Sequence, residues 1–173
     1  MAVDAGLLVL RVVVGALLFG HGTQKLFGWF GGHGLRGTAW WLGSLGFRPA
    51  GLWALLAGLG EAGGGLLLAL GLLHPLGSLG VIAAMLMAIV RVHWSKGLWN
   101  SDGGAELPLA YLVVAAVVGL VGPGAYALDR MLGLTLPLSA SLIFWGGLVV
   151  VVIVDGIGLL VSTSHVAAEQ RAA

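Results

Sequence analysis

Residues Ala5–Phe30 read AGLLVLRVVVGALLFGHGTQKLFGWF. The run from Ala5 to Phe19 is hydrocarbon except for Arg11, and the stretch closes with His21 and Lys25 one helical turn apart. A bilayer-crossing helix needs about 20 mostly apolar residues, which this segment supplies. Its charges then demand an explanation, because an ionised side chain facing lipid is costly. Asp4 stands where a signal peptide would carry positive charge, Arg11 splits the apolar run, and no clean cleavage site follows, so the segment reads as an uncleaved helix.

The rest of the chain has the same character. Hydrophobic residues make up 59% of the 173 and charged residues 9%, against roughly 25% charged in an average soluble domain. The mean hydropathy is +1.05. Too little polar material exists to cover a water-exposed globule, so much of the surface must face lipid. Eight Lys and Arg against seven Asp and Glu leave no basic face for nucleic acid. Cysteine is absent, which excludes disulfides, thiolate metal sites and iron-sulfur clusters carried by this chain.

Five segments have the length and apolarity to cross a bilayer: Ala5–Phe27, Pro49–Leu73, Pro75–Trp94, Glu106–Val121, which is the shortest, and Pro137–Val161. Pro49, Pro75, Pro108 and Pro137 each fall in a proposed first turn, where the missing backbone donor does no harm. The glycine- and tryptophan-rich connection after the first span is expected to form an interfacial or re-entrant piece. Five crossings put Lys25, Arg36, Arg48, Arg91, Lys96 and Arg171 on one side and Arg130 on the other. The positive-inside rule then places the N-terminus outside and the C-terminus in the cytoplasm. Trp29, Trp40, Trp41, Trp53, Trp94 and Trp99 lie on the basic side and read as an interfacial aromatic belt.

Helical periodicity aligns Arg11, Gly15, Leu18, Gly22 and Lys25 on one stripe, with His21 at its edge. Small residues on such a stripe let another helix approach, so it should face protein. Glu61 lies in the second span, sharing its side with Ala54, Ala57, Gly58, Gly64 and Gly65, opposite Leu52, Leu59, Leu66 and Leu70. A carboxylate inside the bilayer requires a partner or loss of its charge. Arg11 and Lys25 are the candidates, each within roughly 14 Å of the midplane of the first span, with Arg11 the nearer. Asp155 is a second intramembrane carboxylate, and Arg91 lies at a similar depth. These groups read either as ion pairs locking the bundle or as the lining of a polar cavity for a small polar or redox-active molecule. The histidines show no haem or metal spacing; His33 falls in a glycine-rich loop and His74 immediately precedes Pro75.

With these residues in place, the chain resembles the DoxX family of small bacterial and archaeal membrane proteins. The resemblance rests on Arg11, FGHGTQKLFG at Phe19–Gly28, LGEAGGGLLLALGL at Leu59–Leu72, GGAEL at Gly103–Leu107 and GPGAYALD at Gly122–Asp129, and covers about Leu7 to Asp129. It implies an all-α integral membrane protein with a four-helix transmembrane core over residues 1–130. Residues 131–173 would add a fifth C-terminal transmembrane helix and a short polar tail. Named members of the family are associated with membrane oxidoreductases, including a quinone-reducing thiosulfate oxidoreductase. The reading that follows is a subunit of a prokaryotic cell membrane, binding a quinone or similar molecule and receiving electrons from partner subunits that carry the redox cofactors. Its expected polar-cavity residues are Arg11, His21, Lys25, Glu61, Arg91, Glu106, Asp129 and Asp155. A non-enzymatic scaffold is the alternative, and a transporter a third.

Overall fold

The computed structural model describes the backbone of residues 1–172 and the side chains of residues 1–163; Arg171, counted above among the basic residues, lies outside the described side chains. Helices α1 (Ala2–Phe27), α2 (Gly34–Ser44), α3 (Ala50–Leu70), α4 (Leu76–Ala88), α5 (Glu106–Val121), the short α6 (Leu128–Met131) and α7 (Ala140–Ala172) follow one another, and no strand occurs among the described residues. Four apolar stretches are long enough to cross a membrane: Ala2–Phe27, Ala50–Leu70, Leu76–Lys96 and Ala140–Thr163. Helix α5 is also apolar but has 16 residues, about 24 Å of helix against a hydrocarbon core of about 30 Å. This is a multi-pass, all-helical membrane protein.

The helix boundaries follow local chemistry. Helix α1 ends at Gly28, whose φ of 74° suits a left-handed C-cap. Helix α3 stops at Gly71, short of Leu73, for the same reason. Helix α7 starts at Ala140, three residues beyond Pro137, because Ser139 is its cap: the Ser139 Oγ accepts from Leu142 N at 3.3 Å. The connection after α1 was expected to be interfacial or re-entrant; it contains α2, which packs on α1 and α3.

Helices α1 and α3 run antiparallel in backbone contact. Gly15 lies against Gly65 and Ala69, and Gly22 lies against Ala62. A Cβ added at Gly65 would sit 2.7 Å from both Gly15 O and Phe19 N, so only glycine fits there. On the next seam, Gly60 and Gly64 face Gly80, Gly77 and Val81 of α4. The small-residue spacing of α3 is thus used inside the bundle. Leu52, Leu59, Leu66 and Leu70 are exposed on its far side, where lipid would be. Helix α7 lies along α4, with Gly147 against Leu79 and Gly158 against Met87 and Trp53.

These contacts define two ends. One carries Arg11, the α3–α4 turn and residues 122–129; the other carries Lys25, α2, Arg48 and Arg91.

Candidate functional site: an intramembrane cavity

A cavity of about 510 Å³ opens at the Lys25 end between α2, α3, α4 and α7. Its wall is mostly apolar, built from residues such as Trp53, Leu67, Ala84 and Met87, with glycines of α3 and α4 giving it depth. Among the described residues, four ionisable side chains line it: Lys25, Glu61, Arg91 and Asp155.

Each is delivered by a different helix. Lys25 closes the small-residue stripe of α1 and makes an ion pair with Glu61 Oε1. The Glu61 side chain is 4% exposed and that of Lys25 is 30%, so the acid is buried and the base reaches outward. Arg91 stands on a wider, π-helical turn, Ile89–His93, that continues α4. Turns of this kind are common at functional sites. Its Nη2 donates to Leu45 O at 2.5 Å. Asp155 comes from α7. Glu61 Oε2, Arg91 Nε and Asp155 Oδ2 are buried and have no hydrogen-bond partner. Buried polar groups are normally satisfied, so leftover donors and acceptors around one cavity suit a polar headgroup.

The other four expected residues lie elsewhere. Arg11 does not meet Glu61. It is 1% exposed, but its Nη1 donates to Ala69 O at 2.8 Å and its Nη2 donates to Tyr126 O. The antiparallel register decides this: Arg11 lies level with Ala69, eight residues from Glu61, or about 12 Å along α3. His21 is exposed on α1 and faces the Tyr111 ring, with centroids 6.5 Å apart, instead of turning toward Glu61. Glu106 is exposed at the start of α5, where Oε2 accepts from Asn100 N at 3.0 Å. Asp129 ties down the α3–α4 turn, accepting from Leu73 N at 2.9 Å and His74 N at 2.8 Å. Burial pushes the His74 imidazole below its usual value, with the nearby Asp129 charge opposing it.

Helix α2, expected only as an interfacial or re-entrant piece, supplies Thr38, Trp41 and Leu42 to the cavity. The signal was present in the i, i+3 and i+4 spacing of these three residues, within a segment whose glycines suggested a loop. Among the described residues, no three His, Asp or Glu side chains gather as metal ligands.

Fold and cavity together define a polytopic α-helical membrane protein with a charge-lined pocket at membrane depth. The chain belongs to the DoxX family, whose model matches residues 6–94. That match spans α1 to α4, with Lys25, Glu61 and Arg91, while Asp155 lies beyond it. No curated protein and no solved structure matches the chain.

Proposed function

We propose that this protein is a membrane subunit that binds a quinone, or a similar amphipathic molecule with a carbonyl headgroup, in the cavity beside Glu61. The observation that carries the reading is the composition of the cavity: an apolar wall of lipid-tail character with two acids and two bases on it. Lys25 and Arg91 can donate hydrogen bonds to carbonyl oxygens, and Glu61 and Asp155 can accept from a hydroxylated headgroup. Opposite charges in equal number favour a neutral ligand over an ion. With no cysteine in the chain, electrons would come from a partner subunit in an oxidoreductase complex. The natural setting is the prokaryotic cell membrane. The basic residues Lys25, Arg36, Arg48, Arg91 and Lys96 at the cavity end favour a cytoplasmic position for it, with the N-terminus outside.

Titration of the purified protein with a short-chain quinone analogue tests this. Saturable binding that falls at least tenfold in Glu61→Gln and Lys25→Met is expected. Absent binding, or binding indifferent to both changes, sinks the proposal. A scaffold role draws support from the opposite end, where Arg11 and Asp129 bind the chain's own backbone. On that reading Glu61→Gln lowers the melting temperature with no selective change in ligand binding.

A further inference from the structure

A second cavity, of about 300 Å³, lies on the other side of Lys25, beneath the turn that joins α1 to α2. Lys25, Thr38 and Trp41 line both cavities; Gln24 and His33 line the outer one alone. The outer wall is otherwise glycine backbone, and its rim includes His33, which is exposed. A volume of this size, lined in part by the polar side chains of Gln24, Lys25, His33 and Thr38, is far above what one water molecule needs. The inner cavity is more strongly apolar and contains the buried Glu61.

Lys25 is therefore a shared wall. Its ammonium has three donors, of which one is used on Glu61. Thr38 braces the same place, its Oγ1 donating to Gly34 O at 2.9 Å and lying 3.2 Å from Lys25 O. From the inner side the lysine shares the cavity with Glu61 of α3, Arg91 beyond α4 and Asp155 of α7; from the outer side the titratable neighbour is His33.

We infer that the outer cavity is the water-side access path to the membrane cavity, with Lys25 at the junction. The inference rests on the proposed ligand site, and gives it a source of protons. Once electrons from the partner subunit have reduced the bound ligand, Lys25 Nζ can pass one proton to its anionic oxygen in the inner cavity. It regains one from water in the outer cavity, the hydroxide left behind passing to bulk water. The lysine ends as it began, and no electron moves in that step. A hydrophobic ligand would then arrive through lipid while its protons arrive through water.

The absence of cysteine makes the test direct. Thr38→Cys and, separately, Lys25→Cys are placed in the full-length chain in proteoliposomes. Each is treated with a charged, membrane-impermeant methanethiosulfonate reagent or with a lipid-soluble maleimide, and modification is read by intact mass. Leu66→Cys, on the lipid-facing side of α3, is the control. The charged reagent is expected to modify position 38 at least tenfold faster than position 66, and a second change, His33→Trp at the rim, is expected to slow it at least fivefold. Position 25 should behave the same way, which covers the case in which Thr38→Cys does not fold. Modification by the lipid-soluble reagent alone, modification by neither, or a rate indifferent to His33→Trp overturns the inference. None of these readouts involves a quinone, so a loss of analogue binding with labelling intact would overturn the ligand reading instead.

Discussion

At one end of α1, Arg11 is buried with both Nη atoms on backbone carbonyls, from α3 and from the segment after α5. At the other end, Lys25 meets a carboxylate at the edge of a cavity and stays partly exposed. Both cations lie on one stripe of one helix, yet they have different work. Arg11 holds residues 122–129 against the bundle, assisted by Asp4, whose Oδ1 accepts from Ala125 N at 2.9 Å, and by Asp129. Planar guanidinium suits this, since it reaches two carbonyls from one fixed fork. The lysine end keeps acid and base groups whose hydrogen-bonding capacity is incompletely used. Arg11 Nε, like Arg91 Nε, has no hydrogen-bond partner. What separates the two ends is that both Arg11 Nη atoms are held by the chain's own backbone, whereas the spare polar atoms of Glu61, Arg91 and Asp155 surround a cavity.

The most severe way to break the comparison is to remove the seam both ends depend on. Gly22→Val places a side chain against the Ala62 backbone, and overpacking against backbone costs about 1–3 kcal/mol or more. Folded protein should disappear from size-exclusion profiles in mild detergent, taking both ends with it. Arg11→Met strikes one end: with charged hydrogen bonds worth about 1.5–3 kcal/mol each, a loss of roughly 3 kcal/mol should appear in thermal melting. The remaining folded protein should still bind the quinone analogue normally. Glu61→Gln strikes the other end and should reverse that pattern, with analogue affinity down at least tenfold and melting changed by a few degrees. If Arg11→Met and Glu61→Gln behave alike in both assays, the division between ends is wrong.

Smaller effects sharpen the structural end. Asp129→Asn weakens two backbone hydrogen bonds and should cost about 1 kcal/mol in the same melting assay, with ligand binding unchanged. His74 supplies a pH signature there. Burial disfavours its protonated form when folded, so the unfolded chain binds the proton more readily. Stability should be full above the ordinary histidine value of about 6.5 and fall as the pH drops through it. His74→Gln should flatten that part of a melting-temperature profile.

Much of the fold was legible because hydropathy and helical period are local quantities. The glycine stripe of α1 and the leucine face of α3 follow from spacing alone, and Glu61 is inside for the same reason. Of the four expected residues that lie away from the cavity, Asp129 and Glu106 do so for a common cause: they are acids in short motifs that accept backbone N–H groups in turns, and turn geometry is not periodic. Arg91 and Asp155 were placed at a similar depth by the sequence, yet depth could not say that they line one cavity. The π-helical turn that carries Arg91 left no mark on the apolar pattern.

The sequence by itself determined that this chain crosses a membrane, which helix faces avoid lipid, and that Glu61 requires a compensating group, because each depends on transfer energies read a residue at a time. Only the tertiary structure decided that the partner is Lys25 and not the nearer-looking Arg11. That choice depends on the register between α1 and α3, set where Gly15, Gly22 and Gly65 let two backbones touch, and contact between residues far apart in the chain has no local signature.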